Sequence, residues 1–434
     1  MEQSAALEPI KFSDFNFDPA LQEGVEALGY ETPTPVQQLS IPILLEGHDL
    51  IASAQTGTGK TAAFLLPIIQ KIIANPSPGK IRALIIVPTR ELAIQIDRIM
   101  EGLSYFTPVS SIAVYGGSDG SAYAREQIAL EQGADMVICT PGRMIAHLMM
   151  GYVKLDGLEF LVLDEADRML DMGFHEDIMS IIDQLPVNRQ TMLFSATMPH
   201  KIKILTKKIL RHPREVSISI SKPAEKVLQV AYVVHETQKI PLLKHLLHSK
   251  ELRSTLIFCS TKQMTKDLAA ALKRGGLAVD EIHSDLEQSQ REVVFRKFKN
   301  KLTPVLVATD VMARGIDIED IDLIVNFDVP HDGESYIHRI GRTARAQSDG
   351  VAITLISEKD MGKFAAIEEL LGKTVHKAIV PEQFGAAPVY DPKKRRSDGR
   401  RGDGAKGRRG DSSKGRGGDG AKGRRNDRPK GPKQ

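Results

Sequence analysis

Cysteine is nearly absent from this chain: two residues in 434, Cys139 and Cys259. Each closes an apolar run, "MVIC" and "LIFC". Both read as small core residues, which excludes a disulfide framework or a cysteine metal site. Isolated thiols suit a reducing compartment. No uninterrupted apolar stretch approaches the roughly 18 residues that a membrane span needs. The opening "MEQSAALEPIKF" lacks a basic region followed by an apolar run. These absences predict a soluble, cytoplasmic protein with no membrane partner. Aromatic residues stop after Tyr390. From Asp391 to Gln434 there are 17 Lys and Arg against six Asp, a net of +11, which leaves −8 on residues 1–390. An acidic body with a basic end points to a polyanionic partner.

Short apolar, β-rich runs recur with helical patterns between them. They are "DLIAS" (49–53), "ALIIV" (83–87), "SIAVY" (111–115), "DMVIC" (135–139), "FLVL" (160–163) and "TMLFS" (191–195), then "VLQVAYVV" (227–234), "TLIFC" (255–259), "VLVAT" (305–309), "LIVNF" (323–327) and "VAITLIS" (351–357). Continuous apolar strands alternating with helices predict an α/β fold with parallel sheets covered on both faces. The pattern pauses at "RHPREVSISISKPAEK" (211–226), where prolines and serines suit a connection. The expected organisation is a first domain over 1–212, a linker over 213–222, a second domain over 223–372 and a basic tail over 373–434. The tail repeats an octapeptide, "GDGAKGRR", "GDSSKGRG", "GDGAKGRR", across 402–425. With no apolar side chains to bury, it is expected to be disordered.

Three stretches carry chemistry. "AQTGTGKT" (54–61) lies between an apolar strand and a helical pattern, the context of a phosphate-binding loop. Backbone N–H groups around Gly57 to Lys60 can wrap phosphates, Lys60 can reach the outer phosphates, and Thr61 can ligand Mg²⁺. Ala54 stands where the general pattern has Gly. "FLVLDEAD" (160–167) ends a strand in acids. Asp164 is placed to hold Mg²⁺, and Glu165 to orient or deprotonate an attacking water. A solvated acidic helix start is the plainer alternative. Finally, "HRIGRTAR" (338–345) crowds Arg339, Arg342 and Arg345 into one arc with no acidic cluster nearby in sequence. Such a cluster needs an anion from elsewhere.

With these stretches in order, the chain resembles the DEAD-box RNA helicases. The resemblance covers roughly residues 12–360 and includes "GYETPTPVQ" (29–37), "PTREL" (88–92), "GG" (116–117), "TPGR" (140–143), "SAT" (195–197), "LIFCSTK" (256–262), "HSDLEQSQR" (283–291) and "ATDVMARGIDI" (308–318). It implies two RecA-like parallel-sheet domains on a flexible linker, with ATP and Mg²⁺ as cofactors and RNA as partner. Phe12, Thr32 and Gln37 would hold the adenine. Ala54, Gln55, Thr56, Gly57, Thr58, Gly59, Lys60 and Thr61 would hold the phosphates, with Gly315 and Asp317 completing the nucleotide site and Asp310 near the ribose. Thr61 and Asp164 would ligand the metal. The catalytic group would be Glu165, Asp164, Lys60, Arg342 and Arg345, the last two as arginine fingers. Asp167, Ser195, Thr197 and His338 would couple the nucleotide and RNA sites. Pro88, Thr89, Arg90, Gly117, Thr140 and Arg143 would line the RNA path on the first domain, and Thr261, Lys262, Gln288, Arg291 and Thr309 on the second.

The implied function is ATP-dependent, local and non-processive unwinding of short RNA duplexes. The tail would add electrostatic contacts. The basic Gly-rich end is similar to the RhlE-type bacterial branch, which implies roles in ribosome assembly or RNA turnover, with ribosomal precursors or RNA-decay proteins as partners. An ATP-gated RNA clamp or RNP-remodelling factor with little net unwinding uses the same motifs.

Overall fold

Fourteen strands are present among the described residues, and eleven of them fall on the eleven apolar runs. β1–β7 are Leu50–Ser53, Ala83–Ile86, Ser111–Val114, Met136–Cys139, Phe160–Leu163, Gln190–Ser195 and Arg214–Ser217. β8–β14 are Val227–Val233, Thr255–Cys259, Val279–Ile282, Val305–Thr309, Leu323–Asn326, Gly350–Ile356 and His376–Ala378. This computed structural model describes residues 10–54, 57–117, 120–218, 227–248, 254–310, 321–343 and 350–392. The first sheet has the order β3-β4-β2-β5-β6-β1-β7 and the second β10-β11-β9-β12-β13-β8-β14. Every strand pairing is parallel.

Successive residues of a strand point to opposite faces, and here both faces are apolar. In β5, Phe160 and Val162 enter one core while Leu161 and Leu163 enter the other. In β9, Leu256 and Phe258 face one core of the second sheet, and Ile257 and Cys259 the other. Both cysteines are buried within these cores. Helices cover each face. The helix Lys60–Ala74 buries ten residues, Lys60 among them, which places that ammonium inside the protein.

Two expected boundaries move. Arg214–Ser217, expected inside the linker, is β7 and pairs with β1 at the edge of the first sheet. The second lobe does not end at 372: β14 pairs with β8, Gln238 Nε2 donates to the carbonyls of Phe384 and Ala386 at 2.8 and 3.0 Å, and the Tyr390 hydroxyl donates to Glu368 at 2.8 Å. The described fold therefore runs through Pro392 as one compact unit. The remaining tail, 393–434, lies outside the described residues. Among the described residues no helix is long and apolar enough to cross a membrane.

Candidate nucleotide and RNA site

In a parallel sheet, ligands bind beyond the carboxyl ends of the strands. β5, β6 and β1 are neighbours, and their carboxyl ends bring three motifs together. Ser53 is in register with Ser195, and Ala54 N–H donates to the Ser195 carbonyl at 3.0 Å. Gly57 and Gly59 then take left-handed φ of 84° and 89°, which turns the chain into the helix at Lys60. Gln37 braces this turn. Its Oε1 accepts from Thr34 N–H at 2.8 Å, and its Nε2 donates to the Gly59 carbonyl at 3.0 Å. Lys60 is 5% exposed, and its Nζ has no hydrogen-bond partner among the described residues. Asp164 Oδ1 is 3.7 Å away. A buried ammonium that is only loosely paired is a ready anion site.

Asp164 and Glu165 follow β5 and are buried. Burial pushes the Asp164 carboxyl up to about 6, with Lys60 pulling against the rise and Glu165 adding to it. A buried carboxylate short of positive charge, close to the hydroxyl-bearing start of the Lys60 helix, fits a hard divalent cation such as Mg²⁺. Glu165 sits at φ 50°, ψ 48°, a left-handed conformation in a non-glycine residue. Such strain costs roughly 1 kcal/mol or more and persists where the surroundings hold it. Here Glu165 Oε2 accepts from Arg168 Nη1 at 3.1 Å. Burial pushes the Glu165 carboxyl up, but Arg168, Lys60 and Arg342 outweigh that push and leave it below its ordinary value. Arg168 escaped the reading of the sequence. The Glu-to-Arg spacing of three on one helix face is the signal that could have found it.

Three of the expected coupling residues, Asp167, Ser195 and Thr197, lie together. Thr197 donates to Asp167 Oδ2 from both its N–H and its hydroxyl at 3.0 Å. Ser195 Oγ accepts from Asp167 N–H at 3.3 Å and donates to the Thr197 carbonyl at 2.7 Å. His338 is half-buried on the helix Gly333–Ile340.

The arginine cluster is divided. Arg339 is 3% exposed and grips Asp310 with two bonds of 2.6 Å, with Asn326 Oδ1 and the Asp328 carbonyl as further acceptors. Its anion is thus Asp310, and Asp310, expected near the ribose, is committed to that pair. Arg342 acts electrostatically on Glu165 across the two lobes. The adenine residues are divided too. Phe12 is 3% exposed, stacked on Tyr30 at 5.7 Å and edge-on to Phe15 at 6.0 Å, so its ring belongs to the core and has to move to meet a base. Thr32 is exposed; Thr58 and Thr61 are half-buried. Gln55, Thr56, Gly315, Asp317 and Arg345 lie outside the described residues.

The expected RNA residues sit at strand ends and helix starts, where backbone N–H groups favour phosphate. Buried Pro88 precedes Thr89, whose Oγ1 caps the helix Arg90–Ser104. Thr140 precedes the helix Pro141–Met149, and Thr261 caps Lys262–Arg274. Thr309 ends β11. The charged members are each engaged. Arg90 donates to Glu292 at 2.7 Å and to the Gly117 carbonyl at 3.1 Å. Arg143 donates to Glu126 at 2.7 Å, and Lys262 to Asp285 at 2.8 Å. Arg291 donates to the Ser284 carbonyl at 2.9 Å. Arg90–Glu292 and Gln288–Glu91, at 3.3 Å, join the two lobes along this path.

Paired parallel sheets with a phosphate loop on the first define a two-lobed, RecA-like ATPase. The DEAD/DEAH box helicase family matches residues 34–205, and the helicase conserved C-terminal domain matches 238–347. The ATP-dependent RNA helicase CshA of Listeria monocytogenes is 44% identical over 382 residues, 88% of this chain and 71% of the relative. The DEAD-box ATP-dependent RNA helicase CshA of Bacillus subtilis is 41% identical, over 83% of this chain and 72% of the relative. The structure of S. cerevisiae Dbp5 bound to RNA and ADP BeF3 matches with a TM-score of 0.75 at 29% identity, over 85% of this chain and 95% of that one. The chain belongs to the DEAD-box ATP-dependent RNA helicases. It is an enzyme that binds ATP and RNA and hydrolyses ATP.

Proposed function

We propose that this helicase opens short RNA duplexes locally, without tracking along the strand, as its two lobes close on ATP and RNA. The observation that carries this is electrostatic: burial pushes the Glu165 carboxyl up, and it is held down first by Arg168 beside it, then by Lys60 of the same lobe, with Arg342 of the other lobe adding to them. While those cations serve Glu165, it is a weak base. Triphosphate drawing Lys60 and Arg342 to its own oxygens would raise the Glu165 carboxyl, so base strength and lobe closure arrive together. In this reading Lys60 binds phosphate and Arg342 is the finger. Gln37 exchanges its bonds to Thr34 N–H and the Gly59 carbonyl for the adenine edge, and Asp167, Ser195 and Thr197 relay between the nucleotide and RNA sites. Mg²⁺, when held by Thr61 and Asp164, supplies neutralising charge at the phosphate oxygens.

RNA runs along Thr89, Arg90, Gly117, Thr140 and Arg143 and the facing Thr261, Lys262, Gln288, Arg291 and Thr309. Contacts through phosphate and sugar imply little sequence preference, and 2′-hydroxyl contacts favour RNA over DNA. The setting is cytoplasmic ribosome assembly or RNA turnover.

Two measurements test this. Glu165→Gln is expected to keep ATP and RNA binding and to lose turnover; hydrolysis at the wild-type rate removes Glu165 as the base. ATPase activity without RNA stimulation removes the coupling. ATP-dependent retention on single strands with no duplex release identifies a clamp instead.

A further inference from the structure

The helix Gly120–Gln132 starts just past Gly116 and Gly117, and the helix Pro141–Met149 starts within "TPGR". A polar cluster lies between them, of which the proposed function uses Arg143 alone. Glu126 is 4% exposed, and His147 is fully buried. One oxygen, Glu126 Oε2, accepts from Arg143 Nε at 2.7 Å and lies 2.8 Å from His147 Nε2. The Arg143 guanidinium is 4.4 Å from the centre of the Tyr123 ring, and the His147 ring stacks on that ring at 4.5 Å. His147 Nδ1 is hydrogen-bonded with the Tyr152 hydroxyl.

A buried carboxylate requires a counter-charge, and its geometry is held as tightly as its partners are packed. The counter-charge here is Arg143, whose side chain keeps 16% exposure. A long cation normally loses much rotamer freedom when it grips a phosphate. Arg143 has already lost it, because Glu126 anchors its Nε and Tyr123 supports its plane. We infer that Glu126 is a positioning residue: it presets the Arg143 guanidinium for a backbone phosphate of bound RNA, with His147 and Tyr123 keeping the pair aligned. This rests on the reading of Arg143 as an RNA contact. The opposite effect of a carboxylate at this place is to cancel the charge of Arg143 and weaken its pull on RNA. The two effects predict shifts of opposite sign.

The test is RNA-stimulated ATPase activity of the full chain, titrated with a single-stranded RNA oligonucleotide. It uses Glu126→Ala, Glu126→Gln, Arg143→Ala and the Glu126→Ala/Arg143→Ala pair, with Tm measured for each. Glu126→Ala is expected to raise the half-saturating RNA concentration between about tenfold and 100-fold, the cost of a misplaced binding group. Its kcat at saturating RNA and its KM for ATP stay within about twofold. The double variant is expected to match Arg143→Ala alone. Should Glu126→Ala fold poorly, Glu126→Gln carries the test with a rise of roughly threefold, since it keeps the acceptor and loses the charge. An unchanged or lowered half-saturating concentration in a well-folded Glu126→Gln overturns the inference. So does a Glu126→Ala loss that persists in full without Arg143. If Arg143→Ala itself has no effect on RNA, the reading of Arg143 fails; if it does and the Glu126 variants do not, positioning alone fails.

Discussion

At the scale of the residue, the site is a balance of buried charges. Asp164 is pushed up to about 6 by burial, against about 4 in an unfolded chain. The folded state therefore holds that proton more tightly than the unfolded one. The contribution of Asp164 to stability is greatest below about pH 4 and declines as pH rises to about 6. Asp164→Asn removes this titration. Melting curves taken without nucleotide should show the Tm difference moving in favour of the variant between about pH 4 and about pH 6, then levelling. A difference that is flat across that window would show that Asp164 titrates in its ordinary range. The proximity of Lys60, Asp164 and Glu165 was readable from their two motifs. The strain at Glu165 and the hold of Arg168 were not, because both depend on how the chain leaves β5.

At the scale of the element, the phosphate loop is tied to a helix far from it in sequence. Gln37 bonds both Thr34 N–H and the Gly59 carbonyl, and a Cβ added at Gly59 would stand 2.5 Å from Gln37 Nε2 and 3.0 Å from Thr34 Oγ1. Gly59→Ala combines that collision with a φ of 89°, a strain of roughly 1–3 kcal/mol. The expected result is a lower Tm together with a KM for ATP raised about tenfold or more. Gly120→Ala, where a Cβ meets nothing within 4 Å, is the control that should leave both unchanged. The strands that went unread, β7, β10 and β14, are all sheet edges. An edge strand is not covered on every side, so it needs no continuous apolar run. "REVS", "VDEI" and "HKA" accordingly carry charged or polar residues in place of a continuous apolar run. That is why β7 resembled a linker and β14 the start of a tail.

At the scale of the whole molecule, the Glu165 carboxylate, the proposed base, is acted on from both lobes. Arg342→Ala should lower kcat by roughly 10³ to 10⁵, the effect of losing an arginine finger in NTPases. ATP binding, followed by fluorescent-nucleotide titration, should hardly change. A modest fall in kcat would mean that Arg342 only tunes Glu165. The basic segment beyond Pro392 is expected to add to RNA affinity through its charge. Deleting 393–434 should weaken RNA binding at low salt and flatten its salt dependence, by about 0.7 in log–log slope for each lost phosphate contact on a single strand. Equal affinity with and without the segment would make it a solubilising extension.

The motifs, the two sheets and the family could be read along the chain, because each is local. A phosphate loop needs only its own turn and helix, and a buried strand needs only its own apolar run. What the chain in one dimension could not reveal is which charges meet. Arg339 takes Asp310 and Arg342 reaches toward Glu165, while Arg143 is claimed by Glu126 and Arg90 by Glu292. Charge pairing depends on distance and burial rather than residue order. Only folding brings each of these partners within range, and that sorts one crowded run of arginines into a structural anchor and a cation that acts on Glu165.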